Sequence, residues 1–265
     1  MSATDPTNRP EYSSEDEPGV PVQAFPSSSD VYFARLREWF EFDSRIPNAS
    51  SELDRARAVC ASVHGRWTHS NDDEPSQNDP ITILEEASKG KRFRCDQFGV
   101  TLAGSLTAFG IVARVVAMMS RDVETRESGA SHVVSEAWLP SLNKWIMLDA
   151  QQNAVVFDGH VPLNCAEIAT HPLDQRLVVE IPGLPPGVDP RLYLGPEGFG
   201  PNFYYFQTRV RQRRMEVSEV SNERERPSIM LCPVGAAEPR VFQRGSPFTN
   251  VVYTRSAAAF YRPPA

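Results

Sequence analysis

Three residues in the middle of the chain, Cys95, His132 and Asp149, could together carry out nucleophilic catalysis. A cysteine thiolate attacks carbonyl carbon, an imidazole moves a proton, and a carboxylate can hold one imidazole nitrogen in place. Cys95 opens a predicted helix, where free backbone N–H groups and the positive end of the helix dipole favour a thiolate. The same N–H groups can donate to an oxyanion that forms on an attacked acyl carbon. The three residue types therefore predict a site for acyl chemistry.

The elements that must position these residues follow from the periodicity of the chain. After Cys95, the apolar residues Phe98, Leu102, Leu106 and Phe109 form one helical stripe, which must pack against another element. Residues 111–119 are rich in β-branched side chains and predict a strand, and residues 131–139 and 144–150 predict two further strands joined by a short turn. In an antiparallel hairpin this spacing places Asp149 beside or diagonal to His132.

The segments on either side of this region differ in character. Upstream, Asp30, Ser50 or Ser51, and Asp79 followed by Pro80 are typical helix starts. Downstream, residues 182–202 are rich in glycine and proline, and only short apolar stretches follow. We therefore expect one domain over residues 30–265, with a catalytic core at about 64–170 and a C-terminal extension of loops and strands.

Residues 1–29 have a composition of their own. They contain five prolines, six serines and an acidic triplet at 15–17, with few large apolar side chains. Such a segment buries too little apolar surface to offset the entropy lost on ordering. The sequence therefore predicts a disordered acidic arm before the domain.

Composition and charge exclude several classes of function. The 265 residues carry a net charge of −7, which argues against a broad nucleic-acid surface. The longest apolar stretches are too short to span a membrane, and the first residues do not resemble a secretory signal. The four cysteines form no C-x-x-C pair, which disfavours a zinc site and a disulfide framework. We expect a cytoplasmic protein without a metal, a membrane partner or a nucleic-acid partner.

Four short strings resemble the transglutaminase-like superfamily, and in particular its bacterial stand-alone members. They are Phe-Arg-Cys-Asp-Gln-Phe-Gly at 93–99, Leu-Thr-Ala-Phe-Gly-Ile-Val-Ala-Arg at 106–114, Ser-His-Val-Val-Ser-Glu-Ala-Trp at 131–138 and Lys-Trp-Ile-Met-Leu-Asp at 144–149. They occur in the order of the family pattern. Because the motif concerns the core and its reactive residues, it is informative about fold and not about substrate.

The resemblance implies a papain-like α+β core in which the helix of the nucleophile packs on an antiparallel β-sheet. It makes Cys95 the nucleophile, His132 the base and then the acid, and Asp149 the orienting group. Chemistry through a thioester would act on a peptide, a protein or a carrier-bound acyl substrate, and either water or an amine could complete the transfer. Animal transglutaminases depend on calcium, but we expect no calcium site here, because this chain is too short for their further domains and metal sites. No cofactor is expected.

Four more residues are candidates for supporting roles. The indole of Trp67 could donate to the oxyanion, although a core tryptophan is an equally good interpretation. Gln97, near the start of the helix, could face the cleft. Glu136 shares a strand face with His132 and is expected to pair with Arg114 on the neighbouring strand, at a separation within about 6 Å.

Two other functions remain open at this stage. Cys95 could be a buried small hydrophobe, His132 a satisfied strand residue and Asp149 a turn cap, in which case the chain is a non-catalytic binding module on the same fold. A metal-dependent hydrolase is disfavoured, because no His, Cys or Asp ligand spacing is present. Hydrolysis and amide formation cannot be separated, since both would use the same three residues.

Overall fold

Helices occupy the first part of the chain and strands the rest in the computed structural model, which describes residues 9–46, 49–172, 174–212 and 227–265. The α-helices of the described residues are α1 (Val31–Trp39), α2 (Phe42–Arg45), α3 (Glu52–His64), α4 (Pro80–Ser88), α5 (Cys95–Ala108), α6 (Cys165–Thr170) and α7 (Ala257–Phe260). Three 3₁₀ turns lie at Pro140–Leu142, Pro190–Leu194 and Gly200–Asn202. No helix among these residues is long and apolar enough to cross a bilayer.

The strands of the described residues are β1 (Ala113–Met119), β2 (Ser131–Leu139), β3 (Lys144–Leu148), β4 (Val155–Asp158), β5 (Val161–Pro162), β6 (Leu177–Glu180), β7 (Tyr205–Arg209), β8 (Ser228–Leu231), β9 (Val241–Phe242), β10 (Ser246–Pro247) and β11 (Val251–Thr254). The main sheet has the order β11-β8-β7-β1-β2-β3 and is antiparallel except between β8 and β11. Strands β5, β4 and β6 form a second sheet, and β9 and β10 pair separately.

Three helices begin where the sequence supplies capping side chains. Asp30 accepts a hydrogen bond from the amide of Tyr32, Ser51 from that of Asp54, and Asp79 from the amide two residues after it. Such caps satisfy N–H groups that have no partner within the helix. These starts agree with the sequence-based boundaries to within one residue.

Helix α5 packs directly against strand β2, and a glycine permits the close approach. A Cβ atom on Gly99 would lie only 2.8 Å from a methyl carbon of Val133, and the carbonyl of Gly99 accepts a hydrogen bond of 2.8 Å from the hydroxyl of Ser135. The apolar stripe of α5, with Phe98, Leu102 and Leu106, is fully buried. The predicted α+β fold, with the nucleophile helix on an antiparallel sheet, is therefore confirmed.

The prediction of a disordered arm is wrong for residues 9–29, while residues 1–8 lie outside the described residues. Backbone hydrogen bonds join Ser13 to Arg255 and Ala24 to Val210, at 2.8 and 2.9 Å, and Val20 is only 2% exposed. Composition failed here because the segment is ordered by backbone and side-chain hydrogen bonds to distant residues, among them those of Arg262 with Asp16 and Glu17. Those bonds satisfy its N–H and C=O groups without requiring a large apolar surface.

Candidate active site

Cys95 is the first residue of helix α5 and the only one of the four cysteines that is not buried. The residue before it, Arg94, is extended and its side chain makes no capping hydrogen bond. The amides of the first turn of an α-helix have no partner within that helix. The thiol therefore lies beside free donors and the positive end of the helix dipole, which favour a negative charge on sulfur.

His132 joins the thiol to the carboxylate of Asp149. The Nε2 atom of its ring is 2.7 Å from Oδ2 of Asp149, so this nitrogen donates to the carboxylate. Because Nε2 faces the carboxylate, Nδ1 is the ring nitrogen left for Cys95, whose thiol lies near enough to raise the pKa of the imidazole. The hairpin register explains the pairing, because Ser135 lies opposite Leu148 and Asp149 follows immediately. The structure thus brings His132 and Asp149 into contact and places Cys95 near the imidazole.

The carboxylate of Asp149 is fully surrounded by donors. Its Oδ1 atom accepts from the backbone amides of Gln151 and Gln152 at 2.9 and 3.2 Å, and its Oδ2 atom accepts from His132 and from the Tyr193 hydroxyl at 2.9 Å. Hydrogen bonds to an ionised carboxylate stabilise its charge and fix its plane. Asp149 is therefore held in one orientation within a buried environment.

Sequence reasoning missed two residues that contact this pair. The ring of Phe199 stacks on the His132 imidazole with centroids 3.7 Å apart and an angle of 16°, and the Tyr193 hydroxyl contacts Asp149. Both belong to the loop rich in glycine and proline, which shows no periodic pattern. The spacing Gly-Pro-Glu-Gly-Phe-Gly at 195–200 was the available signal, because closely spaced glycines indicate a tight turn.

The surroundings of His132 favour its protonated form. Burial lowers the pKa of the imidazole, but the Asp149 carboxylate and the Cys95 thiol outweigh burial and raise the pKa from 6.5 to about 9. The surroundings of Tyr193 disfavour the charged form of its phenol. Burial, followed by the neighbouring Asp149 charge, raises the pKa of Tyr193 well above its ordinary value, so the phenol remains a donor.

This shift predicts a pH-dependent contribution to stability. The pKa of folded His132, about 9, exceeds the ordinary 6.5 of an unfolded chain, so the stabilisation is complete below pH 6.5 and is lost as the pH rises through about 9. Its size is about 3 kcal/mol. Urea unfolding of the wild type and Asp149→Asn between pH 6 and pH 10 should give curves that converge as the pH rises. Parallel curves would contradict the prediction.

Trp67 does not provide the oxyanion donor that the sequence suggested. Its indole N–H donates to the carbonyl of Phe93 at 3.2 Å, and its ring stacks on Phe98 with centroids 4.3 Å apart. A buried indole N–H needs a hydrogen-bond partner, and here the backbone just before Cys95 supplies it. Trp67 therefore supports the approach to helix α5 instead of facing the reacting group.

The expectation that Gln97 faces the cleft is also corrected. The residue is only 2% exposed, and its side-chain amide donates to Asn78 at 3.3 Å and to Asp96 at 3.2 Å. These bonds direct the amide N–H groups toward Asn78 in the loop before α4 and toward the neighbouring Asp96 in the first turn of α5. What Gln97 can contribute to the cleft is therefore its backbone amide in the first turn of α5.

Arg114 and Glu136 form a salt bridge inside the protein. They are register partners on β1 and β2, their closest N–O distance is 2.7 Å, and both side chains are 0% exposed. Glu136 also accepts from the Cys165 amide and the Tyr261 hydroxyl, and the Arg114 guanidinium lies over the ring of Trp145 at 4.4 Å. The pair fixes the strand that carries His132 and does not contact Cys95 in the described hydrogen bonds.

A metal centre has no ligand set in the part of the chain that the structure describes. There, no group of three or more His, Cys, Asp and Glu side chains could hold a metal ion.

A family model gives an independent comparison. The model of the transglutaminase-like superfamily matches residues 31–150, from α1 to the residue after Asp149. The match starts earlier and ends earlier than the core at about 64–170 that the motifs indicate. No curated protein sequence matches the chain.

Solved structures share only part of this chain. A candidate cysteine protease from Cytophaga hutchinsonii is 15% identical, with a TM-score of 0.36, over 45% of this chain and 38% of its own. Red sea bream transglutaminase is 16% identical, with a TM-score of 0.33, over 54% of this chain and 30% of its own. This chain therefore spans well under half the length of both structures. TM-scores this low carry no argument about family or function.

Proposed function

Because the model of the transglutaminase-like superfamily matches residues 31–150, we propose that this protein is a member of that superfamily and a cysteine-dependent acyl-transfer enzyme. In the proposal Cys95 is the nucleophile, His132 the base and then the acid, and Asp149 the group that orients the imidazole. The substrate is an amide or a thioester carbonyl of a peptide, a protein or a carrier-bound acyl group. The superfamily contains cysteine-dependent enzymes, and the geometry around Cys95 favours the same chemistry here.

The observation that carries the proposal is the placement of the thiol. The one cysteine that is not buried lies at a helix N-terminus and near an imidazole, whose Nε2 atom donates to a buried carboxylate at 2.7 Å. A structural cysteine needs none of these three features. A nucleophile needs all of them, because the thiolate must form, be stabilised and receive the proton back.

Acylation would proceed by attack of the Cys95 sulfur on the acyl carbon. The proton of the thiol passes to His132, and the carbonyl oxygen becomes an oxyanion beside the first-turn amides of α5. The imidazolium then donates its proton to the departing amine or thiol as the bond from the acyl carbon to that group breaks. The product is a thioester on Cys95 and a neutral leaving group.

Deacylation would reverse the roles of the same residues. His132 removes a proton from water or an amine as that nucleophile attacks the thioester carbon. The carbon–sulfur bond then breaks, and the sulfur regains its charge or its proton. Water gives a carboxylic acid and an amine gives a new amide, so the reaction type depends on which acceptor reaches the thioester.

Selective alkylation of Cys95 is the first expected result. Iodoacetamide at pH 6 should label Cys95 in the native protein and leave Cys60, Cys165 and Cys232 unmodified, as mapped by mass spectrometry. Burial raises the pKa of the Cys60 and Cys165 thiols well above their ordinary values and that of Cys232 to about 12, so these thiols are both covered and protonated.

The matched control is the same labelling in His132→Gln. Without the imidazole, labelling of Cys95 at pH 6 should fall about tenfold or more, because a free thiol with a pKa of about 8.5 is mostly protonated there. Rapid labelling that survives His132→Gln, or slow labelling of Cys95 in the wild type, would contradict the proposal. The second result would favour the non-catalytic binding module. With labelling established, amide and thioester donors offered with and without a primary amine separate hydrolysis from amide formation.

A further inference from the structure

A segment beyond the range matched by the family model covers the candidate site. We name residues 189–203 the covering segment. It contains the 3₁₀ turns Pro190–Leu194 and Gly200–Asn202 and the residues Tyr193 and Phe199 that contact Asp149 and His132. We propose that Tyr193 and Phe199 are positioning residues, which hold the His132–Asp149 pair in one geometry and keep water away from it. This inference rests on the proposed function, because it assigns the pair a role toward Cys95.

Tyr193 acts on the carboxylate. Its hydroxyl donates to Oδ2 of Asp149 at 2.9 Å, and this oxygen also accepts from His132. Two backbone amides already occupy Oδ1, so with Tyr193 in place both oxygens carry two donors. A carboxylate held in this way cannot rotate without breaking a charge-assisted bond. Tyr193 therefore fixes the orientation in which the Asp149 carboxylate accepts the hydrogen bond from His132 Nε2.

Phe199 acts on the imidazole. Its ring lies nearly parallel to the ring of His132, with centroids 3.7 Å apart, and covers one face of it. Water is excluded from that face, and a protonated imidazole gains from contact with an aromatic ring. The ring also contacts Tyr193, with centroids 5.3 Å apart, so the two residues form one cover over the pair.

The covering segment is folded tightly enough to hold this position. The amide of Phe199 donates to the carbonyl of Tyr193 at 2.8 Å, which closes the turn. A Cβ atom on Gly198 would lie 2.3 Å from the carbonyl oxygen of Leu192, and one on Gly200 would lie 2.1 Å from that of Leu194. Only glycine fits at both places, so the backbone on either side of Phe199 passes against the preceding turn and has little freedom to move.

Loss of either side chain has a defined chemical consequence. Without the Tyr193 hydroxyl, the buried Asp149 carboxylate loses one of its hydrogen-bond donors. Its negative charge is then less well stabilised, so it attracts the Nε2 proton of His132 more strongly. Without the Phe199 ring, water competes for the hydrogen bond between the two residues. In both cases the imidazolium supports the Cys95 thiolate less well, while the reacting atoms themselves are unchanged.

The experiment compares four variants of the full chain with the wild type. Tyr193→Phe removes one oxygen, Phe199→Ala removes the stacked ring, and Phe199→Tyr restores an aromatic face. Phe203→Leu is the matched control, since Phe203 is a buried aromatic residue of the same segment that packs on Phe206 instead of His132. Two quantities are measured: the downfield proton NMR resonance of the His132 Nε2–H, assigned by its absence in His132→Gln, and the pH profile of Cys95 alkylation.

We expect a slowly exchanging N–H resonance in the wild type, Phe199→Tyr and Phe203→Leu, and its loss or rapid exchange in Tyr193→Phe and Phe199→Ala. Alkylation of Cys95 at pH 6 should slow about tenfold in the latter two variants, as expected for loss of a hydrogen bond to a charged group. Their profiles should shift toward higher pH, which a purely structural role would not produce.

The two readouts separate the two hypotheses. An unchanged resonance and unchanged pH profile in both Tyr193→Phe and Phe199→Ala would overturn the positioning role, even if Cys95 is reactive. Slow alkylation of Cys95 in the wild type would refute the proposed function, whereas the resonance would still report whether Tyr193 and Phe199 shield the pair. Loss of the resonance in Phe203→Leu as well would overturn the positioning role, because it would assign the effect to general loosening of the segment.

Discussion

Replacing Cys95 with alanine is expected to abolish turnover of amide and thioester donors, with a loss of at least about 10⁴-fold, because no other group could form the covalent intermediate. The substitution removes one sulfur atom from a partly exposed site at a helix start. The free energy of unfolding should therefore change by less than about 1 kcal/mol. Turnover is measured with the amide and thioester donors that the wild type consumes, and stability by urea unfolding.

Cys232→Ala is the matched control for this substitution. Cys232 is buried in a separate apolar cluster with Met119, Tyr205 and Met230. Its replacement should preserve turnover and lower stability, because it leaves a small cavity. If Cys95→Ala behaved in the same way, retaining turnover and losing stability, Cys95 would be a structural residue and the proposed function would be wrong.

The largest effect on stability is expected at Arg114. Arg114→Ala should lower the free energy of unfolding by about 3–5 kcal/mol, since it leaves Glu136 charged in the interior without its partner. The substitution also removes the hydrogen bond to the carbonyl of Phe260 at 2.8 Å, and the contacts of the guanidinium with the rings of Trp145 and Tyr261. The loss in the free energy of unfolding is measured by urea unfolding of the wild type and the variant, followed by both circular dichroism and tryptophan fluorescence.

Arg176→Ala provides the comparison at the surface. Arg176 pairs with Asp158 through two hydrogen bonds of 2.7 and 2.9 Å, but its side chain is 72% exposed. Solvent screens such a pair, so we expect a loss of less than about 1 kcal/mol. Equal losses in the two variants would show that burial does not determine the contribution of Arg114.

The elements that carry the site were predictable because their determinants are local. Helix α5 is marked by its apolar stripe, and the hairpin of β2 and β3 by two strands around a short turn. If β2 and β3 form a hairpin, the spacing of His132 and Asp149 predicts that the two residues are in contact. In the same way, the pairing of β1 with β2 predicts the contact between Arg114 and Glu136. Sequence therefore indicated which residues meet and why.

The remaining features depend on residues far apart in the chain, which local patterns do not reveal. Tyr193 lies 44 residues beyond Asp149, in a loop with no periodicity. The sequence leaves Trp67 open between a core residue and an oxyanion donor, because the acceptor of its indole N–H, the carbonyl of Phe93, lies 26 residues away. The packing of residues 9–29 depends on backbone partners far along the chain, near residues 210, 234 and 255. Backbone pairing of this kind leaves no mark in composition.

The Arg114 network has a consequence for how the protein is made. Its guanidinium requires Phe260, synthesised 146 residues later, and Gln23, synthesised 91 residues earlier. On the ribosome, a nascent chain that ends near residue 150 already contains the whole family-matched range, yet it lacks the aromatic residues of α7 that cover this cation. Closing such long loops is slow, because entropy is lost before the contacts form. The strand that carries His132 therefore reaches its final surroundings only after translation has passed helix α7.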